Sequence, residues 1–153
     1  MPRQTPKGPV LATNKKAFHD YNIIERFEAG IQLVGTEVKS CRERAIQLNE
    51  GYVKISGNQM WLVNVHIAQY GFGNRFNHEV RQQRRLLMHH NEILKLAQWL
   101  GTKGGTIIPL KFYLKQGLVK VEIAYCQGKN RGDKRETLRR QQADLEMRRQ
   151  VKR

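Results

Sequence analysis

The chain has 153 residues, enough for one domain with a hydrophobic core and too few for two. Its 28 Lys and Arg against 13 Asp and Glu give a formal net charge of +15 at pH 7, which favours a polyanionic partner, nucleic acid above all. No apolar run approaches the roughly 20 residues that span a bilayer, and the basic segments lack the apolar face of an interfacial helix, so we expect no membrane partner.

The two cysteines, Cys41 and Cys126, lie far apart and have no Cys-x-x-Cys spacing. The N-terminus lacks the apolar stretch of a signal peptide. We therefore expect two buried free thiols in a cytoplasmic protein, where the reducing environment disfavours disulfides.

The first part of the chain changes pattern twice. Residues 1–16 contain three prolines and no acidic residue, which predicts a disordered basic arm. Residues 17–27 carry apolar side chains three to four positions apart, which predicts a short helix ended by Gly30. Residues 31–38 alternate loosely and predict a strand that bends at Gly35, and residues 40–48 predict a second short helix.

Two hairpins follow. Ser56-Gly57-Asn58 separates two runs with period-two alternation, and Lys115-Gln116-Gly117 separates two longer ones. Pro109 within the second hairpin predicts a strand edge or a bulge. Between the hairpins, we expect a loop over 70–84 and a helix over 91–100, with Asn91 as N-cap and Gly101 just past its end.

These elements predict a mainly β protein with short helices: an OB-like closed Greek-key barrel of about six strands. The folded body is expected over residues 17–127. The basic segments 1–16 and 128–153 are expected to be disordered tails outside it.

The sequence shows no catalytic or metal-binding constellation. The five histidines lack the spacing of a zinc site, and Gly101–Gly105 lacks the Gly-Lys-Ser/Thr ending of a phosphate-binding loop and is expected to lead into a strand instead of a helix. The carboxylates Asp20, Glu25, Glu28 and Glu37 have no spacing that indicates acid–base chemistry. We therefore predict no enzyme activity, no cofactor and no metal.

Basic residues cluster at two places, and arginine forks suit phosphate oxygens. Histidines (78, 89 and 90) and aromatic residues (70, 72 and 76) accompany the second cluster and could stack on unpaired bases. The alternative is a solvated loop whose arginines only keep the protein soluble. The first cluster comprises Lys39, Arg42 and Arg44; the second comprises Arg75, Arg81, Arg84 and Arg85.

The last 26 residues, 128–153, carry ten basic and four acidic residues with few apolar ones. Asp133 and Glu136 have the spacing of a capping box, and Glu136 and Asp144 each lie four residues before an arginine. An isolated helix with so sparse an apolar face is marginal in water. We therefore predict a latent helix, disordered in the free protein and formed inside an anionic channel.

Seven segments between about residues 14 and 136 form a specific pattern: NKKAFHDYNI, FEAGIQLVGTEVKSCR, NEGYVKI, NVHI, RRLLMHHNEILKL, GTIIPLKFYLKQGLVKVEIAYCQGK and DKRE. Their most specific elements are Gly-x-Glu-Val-Lys-Ser and Asp-Lys-Arg-Glu. Together these segments resemble the SmpB family, the tmRNA-binding proteins of bacterial trans-translation.

The resemblance implies an adaptor and not an enzyme. Such a protein binds the tRNA-like domain of tmRNA through an OB-like barrel and delivers alanylated tmRNA to stalled ribosomes. Elongation factor Tu is an implied partner in the delivery complex, and the protein is expected to be a monomer. The alternatives are a general OB-type single-strand RNA-binding or ribosomal structural protein and, from another class, an RNA-processing enzyme.

The resemblance also assigns residues. Its RNA-contact positions fall on Glu28, Leu87 and His89, beside the basic residues Lys39, Arg42, Arg81, Arg84 and Arg85. Two positions depart from the family pattern: Asn130 replaces a lysine, and Gly132 replaces a His or Tyr that stacks on ribosomal RNA. The residues expected to act on the ribosome are Lys129, Arg131, Asp133, Lys134, Arg135 and Glu136.

Overall fold

The structure is a computed structural model and describes residues 8–71 and 77–128. Antiparallel strands dominate it, with three helices among the described residues. The strands are β1 (Val10–Thr13), β2 (Tyr21–Ile31), β3 (Ile46–Gln47), β4 (Tyr52–Ser56), β5 (Gln59–Val63), β6 (His66–Ile67), β7 (Arg84–Leu87), β8 (Thr106–Lys115) and β9 (Leu118–Gly128); the helices are α1 (Lys15–Asp20), α2 (Gly35–Arg42) and α3 (His90–Lys103).

Within the described residues, six strands form a ring in the order β8-β4-β5-β7-β2-β9, and β9 pairs back to β8. The β4–β8 junction rests on the register pair Val53 and Ile107, whereas β2 and β9 pair along nearly their whole length. Strand β1 extends the sheet beyond the ring at β8, and β3 and β6 form a separate two-stranded sheet.

The core lies inside the ring and contains side chains from most of its strands, including Met60, Leu62, Ile107, Phe112 and Ile123. A smaller apolar cluster lies under α1, where Ala17 packs with residues of β8 and β9. Because these two strands are covered on both faces there, they carry consecutive buried residues where a one-sided strand would alternate.

Both predicted hairpins are confirmed. Gly57 and Asn58 connect β4 and β5 with φ of 58° and 63°, the left-handed conformation that two-residue hairpin turns require. Gln116 and Gly117 connect β8 and β9 with φ of 52° and 77°. The irregularity predicted at Pro109 is also confirmed, because the β8–β9 register shifts between Pro109 and Lys111.

The predicted disordered arm is wrong for its described part. Val10–Thr13 forms β1 against β8, and α1 already begins at Lys15. The reason lies at Asn14, which is buried: its side chain accepts from the Ala17 amide and donates to the Pro109 carbonyl. Asn14 thereby caps α1 and attaches the segment to β8, so the folded body starts before residue 17.

Three element boundaries also differ from the sequence-based expectations. The helix predicted over 17–27 ends at Asp20, and β2 continues through Ile31 because it pairs with two strands. The strand predicted over 31–38 is wrong, since α2 begins at Gly35. Helix α3 has His89 as N-cap, and it continues past Gly101 to Lys103.

Candidate nucleic-acid interface

Glu28 lies near the middle of β2 on the outer face of the ring. The Tyr113 hydroxyl donates to its Oε2 at 2.5 Å. The Lys115 ammonium donates to both carboxylate oxygens, at 3.1 and 3.2 Å. Both donors come from β8, which does not pair with β2 but lies on the other side of β9. An exposed glutamate is thus held by two side chains from a strand two positions away.

The charge of this site is set by the same contacts. Partial burial raises the pKa of Glu28, but the hydrogen bonds from Tyr113 and Lys115 and the charges of Lys115 and Lys120 outweigh it, so the pKa is lowered from 4.5. Burial and the neighbouring Glu28 carboxylate raise the pKa of Tyr113. At neutral pH the pair is therefore an ionised acceptor and a protonated donor.

The sheet register brings Leu87 close to Glu28. Gly30, two residues after Glu28 and on the same face, pairs with Leu87 of β7 on one side and Lys120 of β9 on the other. A Cβ atom added at Gly30 would lie 3.3 Å from the Leu87 Cβ, so the glycine allows a close approach.

A shallow apolar groove of about 300 Å³ opens beside Gly30. Leu87 and Leu118 stand at its surface, 45% and 60% exposed, and Val38 of α2 lines it with Lys120. Exposed leucines next to the Lys120 ammonium group provide apolar and cationic contacts within one surface.

The predicted basic residues of α2 lie near this groove. Arg42 is exposed, and its Nη2 is 3.5 Å from the carbonyl oxygen of Gly117, a groove residue. Lys39 is exposed, with its Nζ 5.3 Å from the centroid of the Tyr70 ring. Arg42 at the groove and Lys115 and Lys120 next to Glu28 give this face several cations, with Glu122 of β9 as a second carboxylate opposite Glu28. We call this face the basic surface around Glu28.

The other predicted contact residues are more widely spread. Arg85 is half-buried and shares the outer side of β7 with Leu87, and His89 is exposed at the N-cap of α3. Arg81 is exposed but donates to Asn64 Oδ1 at 2.7 Å, in the connection between β5 and β6.

The prediction that Arg84 contacts RNA is wrong. Its side chain is 1% exposed and forms an ion pair with Glu37, which is equally buried. The guanidinium also donates to the carbonyl oxygens of Val65 at 2.9 Å and Val80 at 3.0 Å. The sequence carried a signal for this, because period-two alternation places Arg84 on the same side of β7 as the buried Leu86.

The prediction that His78 stacks on bases is wrong as well. The residue is 5% exposed, with Nδ1 at 2.8 Å from the Thr36 hydroxyl and Nε2 at 2.9 Å from the Ile67 carbonyl oxygen. Its imidazole therefore joins the start of α2 to β6 in the interior.

Sequence reasoning missed Tyr113, Lys115 and Lys120 as parts of this surface. A weak signal existed, because Tyr113 and Lys115 are two positions apart in a strand and therefore share a side. Their partner Glu28 precedes them by 85 and 87 residues, so the pairing depends on the sheet order.

Several predicted residues lie outside the described part of the chain. They are Phe72, Arg75, Phe76, Lys129, Arg131, Asp133, Lys134, Arg135 and Glu136.

Within residues 8–71 and 77–128, no group of three or more His, Cys, Asp and Glu side chains could hold a metal ion. In the same ranges, no helix has the length and apolar character needed to cross a membrane.

Comparisons with known proteins identify the family of this chain. The family model described as SmpB protein matches residues 11–153. An SsrA-binding protein of Levilactobacillus brevis is 49% identical over 150 residues, which cover 98% of this chain and 95% of the relative. The SsrA-binding protein of Caldanaerobacter subterraneus subsp. tengcongensis is 46% identical over a stretch that covers 99% of this chain and 96% of the relative.

A solved structure described as "tmRNA-SmpB: a journey to the center of the bacterial ribosome" contains a similar chain. That chain has 38% sequence identity and a TM-score of 0.69, over 86% of this chain and 96% of its own length. Since the family model and the relatives each cover nearly the whole sequence, this chain belongs to the SmpB protein family.

Proposed function

We propose that this protein binds the tRNA-like domain of tmRNA and delivers alanylated tmRNA to stalled ribosomes for peptide tagging. The observation that carries the proposal is the near full-length similarity to proteins named SsrA-binding protein. The similar chain of the tmRNA–SmpB structure, at 38% identity, supports the same function. The basic surface around Glu28 supplies a chemically suitable site.

The chemistry of that surface gives each residue a role. Lys39, Arg42 and Arg85 contact phosphate oxygens, which position the RNA without reading its sequence. Leu87 and His89 contact exposed bases or sugars, as expected for single-stranded loops of a folded RNA. Arg81 extends the phosphate contacts along the loop before β7.

Glu28 needs a different partner, because phosphate repels a carboxylate. An ionised carboxylate accepts hydrogen bonds and cannot donate them. Glu28 therefore contacts amino or imino groups of a nucleobase, and it contributes to specificity more than to affinity.

The fold suits this role as an OB-like Greek-key barrel. The ring of six strands among the described residues and the helix between β7 and β8 support that description. The protein acts as a monomeric adaptor and not as an enzyme, with elongation factor Tu in the delivery complex. Its place of work is the cytoplasm, where ribosomes translate.

The basic tail, residues 128–153, acts on the ribosome. Lys129 and Arg131 contact ribosomal RNA, and the segment Asp133, Lys134, Arg135 and Glu136 starts a helix in the empty message path. The support for this comes from the sequence, which has capping-box spacing and ten basic residues.

A competition experiment tests the proposal. Radiolabelled tmRNA is bound to the protein at fixed salt, and unlabelled tmRNA or bulk tRNA is added. We expect tmRNA to compete at far lower concentration than tRNA. Equal competition by both RNAs would indicate a general single-strand or structural RNA-binding protein instead.

A further inference from the structure

The Glu28 side chain combines exposure with a fixed orientation. It is 41% exposed, yet its carboxylate is anchored by Tyr113, which is 2% exposed. Tyr113 itself lies in β8 between two paired strands, opposite Val10 of β1 and Lys120 of β9. The anchor is therefore rigid, whereas an exposed glutamate without such a contact samples several rotamers.

The anchoring contacts leave one carboxylate oxygen more open than the other. Oε2 accepts from Tyr113 and from Lys115, whereas Oε1 accepts from Lys115 alone among the described residues. A carboxylate oxygen has two lone pairs, so Oε1 can accept one further hydrogen bond. The open acceptor is thereby held in one place on the outer face of the ring.

We infer that Tyr113 is a positioning residue, whose hydroxyl holds the Glu28 carboxylate so that Oε1 accepts a hydrogen bond from a nucleobase amino or imino group. This inference rests on the proposed function. Tyr113 needs no contact with the RNA, because it acts through Glu28. Lys115 also holds the Glu28 carboxylate, and its ammonium group offsets the negative charge of Glu28 close to the RNA phosphates.

The size of the effect follows from side-chain freedom. Tyr113→Phe keeps the ring in its buried position and removes only the hydroxyl. Glu28 then has to be immobilised when RNA binds, a cost that corresponds to roughly three- to tenfold weaker binding. Lys115 remains as a second anchor, so the loss stays smaller than that from removing Glu28 itself.

A double-mutant cycle tests this. The dissociation constant for tmRNA is measured for the unaltered protein, Tyr113→Phe, Glu28→Ala and the double variant. We expect Tyr113→Phe to weaken binding when Glu28 is present and to change nothing in the Glu28→Ala background. An unchanged dissociation constant for Tyr113→Phe, or an equal loss in both backgrounds, would overturn the inference.

Tyr125→Phe is the matched control. It also removes the hydroxyl of a buried tyrosine, but that hydroxyl donates to the Gly104 carbonyl oxygen at 2.6 Å, away from Glu28. We expect Tyr125→Phe to lower the melting temperature without weakening tmRNA binding. Equal weakening by the two variants would mean that loss of stability explains the effect and would also overturn the inference.

Together with the competition between tmRNA and bulk tRNA, these measurements separate this inference from the proposed function. If the unaltered protein shows no preference for tmRNA over bulk tRNA, the proposed function and the inference both fail. If the preference is present and Tyr113→Phe retains the affinity of the unaltered protein, only the inference fails.

Discussion

Arg84 donates its Nε hydrogen to Oε2 of Glu37, and both side chains are 1% exposed. The other oxygen of Glu37 accepts from the Val34 amide at the start of α2. The Glu37 carboxylate thus caps α2 and pairs with Arg84, the first residue of β7. The same strand carries Arg85 and Leu87. The ion pair fixes the position of α2 relative to β7, and both elements contribute to the proposed RNA-binding surface.

Breaking this pair should be costly. Glu37→Gln leaves the Arg84 charge buried without a counter-ion, and we expect the free energy of unfolding to fall by about 3–5 kcal/mol. Urea denaturation followed by circular dichroism measures it. Glu25→Gln is the control, because Glu25 pairs with Lys95 at 3.4 Å on the surface and should cost less than about 1 kcal/mol. Similar small losses for both variants would contradict a structural role for the buried pair.

Glu28→Ala should weaken tmRNA binding by about 1–3 kcal/mol, on the scale of a hydrogen bond to a charged group. Glu28→Gln keeps the side-chain shape and one hydrogen-bond acceptor, so it should weaken tmRNA binding less than Glu28→Ala does. Filter binding at fixed salt measures both. Tighter binding by either variant would show that Glu28 faces phosphate and would contradict its assignment as a contact to a base.

The lowered pKa of Glu28 also predicts a pH dependence of stability. The Tyr113 and Lys115 contacts favour the ionised form, so their contribution is present above 4.5 and is lost as pH falls through the folded-state pKa. Glu28→Gln should therefore reduce stability at pH 7 and change it little at a pH well below that pKa. Urea titrations at the two pH values check this. An equal difference at both would mean that the charge of Glu28 does not matter for folding.

The two thiols should be unreactive in the folded protein. Burial is the main cause that raises the pKa of Cys41 and Cys126, each to about 12, with the Glu37 charge adding to it at Cys41. Thiolate, the reactive form, is therefore scarce at pH 8. A thiol reagent should label neither cysteine under native conditions and both in denaturant. Rapid native labelling of either one would contradict its burial.

The net charge of +15 predicts a steep salt dependence of RNA binding. Each phosphate contact releases counterions and contributes a slope of roughly −0.7 to −0.9 in a plot of log affinity against log salt. Replacing Arg42 with Gln should reduce this slope by about one contact if Arg42 binds phosphate. A nearly flat plot for the unaltered protein would exclude phosphate contacts as the main source of affinity.

Changes in the tail, residues 128–153, should affect peptide tagging but not tmRNA binding. Truncation after Gly128 should leave tmRNA affinity almost unchanged and abolish peptide tagging. Replacing both Leu138 and Leu145 with Pro should have the same effect, since proline prevents the helix without removing charge. Tagging assays on stalled ribosomes measure this. Normal tagging by the double-proline variant would show that charge suffices and that the helix is not required.

Local chemistry explains what the sequence could predict. The hairpins were predictable because Gly57-Asn58 and Gln116-Gly117 favour the turn by themselves. The start of helix α2 was not predictable, because its cap is the side chain of Glu37, whose burial depends on Arg84, 47 residues later. Residues 31–38 contain Ile, Val and Thr, which have a high β propensity and therefore predict a strand.

The same distinction between local and long-range signals applies to the proposed RNA-binding surface. Glu28, Leu87 and the basic residues of α2 were proposed from motifs and charge. The structure places Leu87 directly across from Gly30, which lies two residues after Glu28 on the same side of β2. Tyr113 could not be assigned to the surface, because β8 approaches Glu28 only across β9. The mistaken assignment of Arg84 has the related cause that charge alone does not reveal a buried counter-ion.

The pairing of β2 with β9 has a consequence for how the protein is made. Tyr21 pairs with Gly128 and Gly30 with Lys120, so β2 acquires this neighbour only after β9 has been synthesised. Contacts between residues so far apart in sequence make folding slow, because loop closure precedes any stabilising pairing. Until then β2 and β8 present unpaired edges, which favour association with other nascent chains. A polypeptide cut short before β9 would retain both edges permanently, and proteolysis is the safest outcome for such a product.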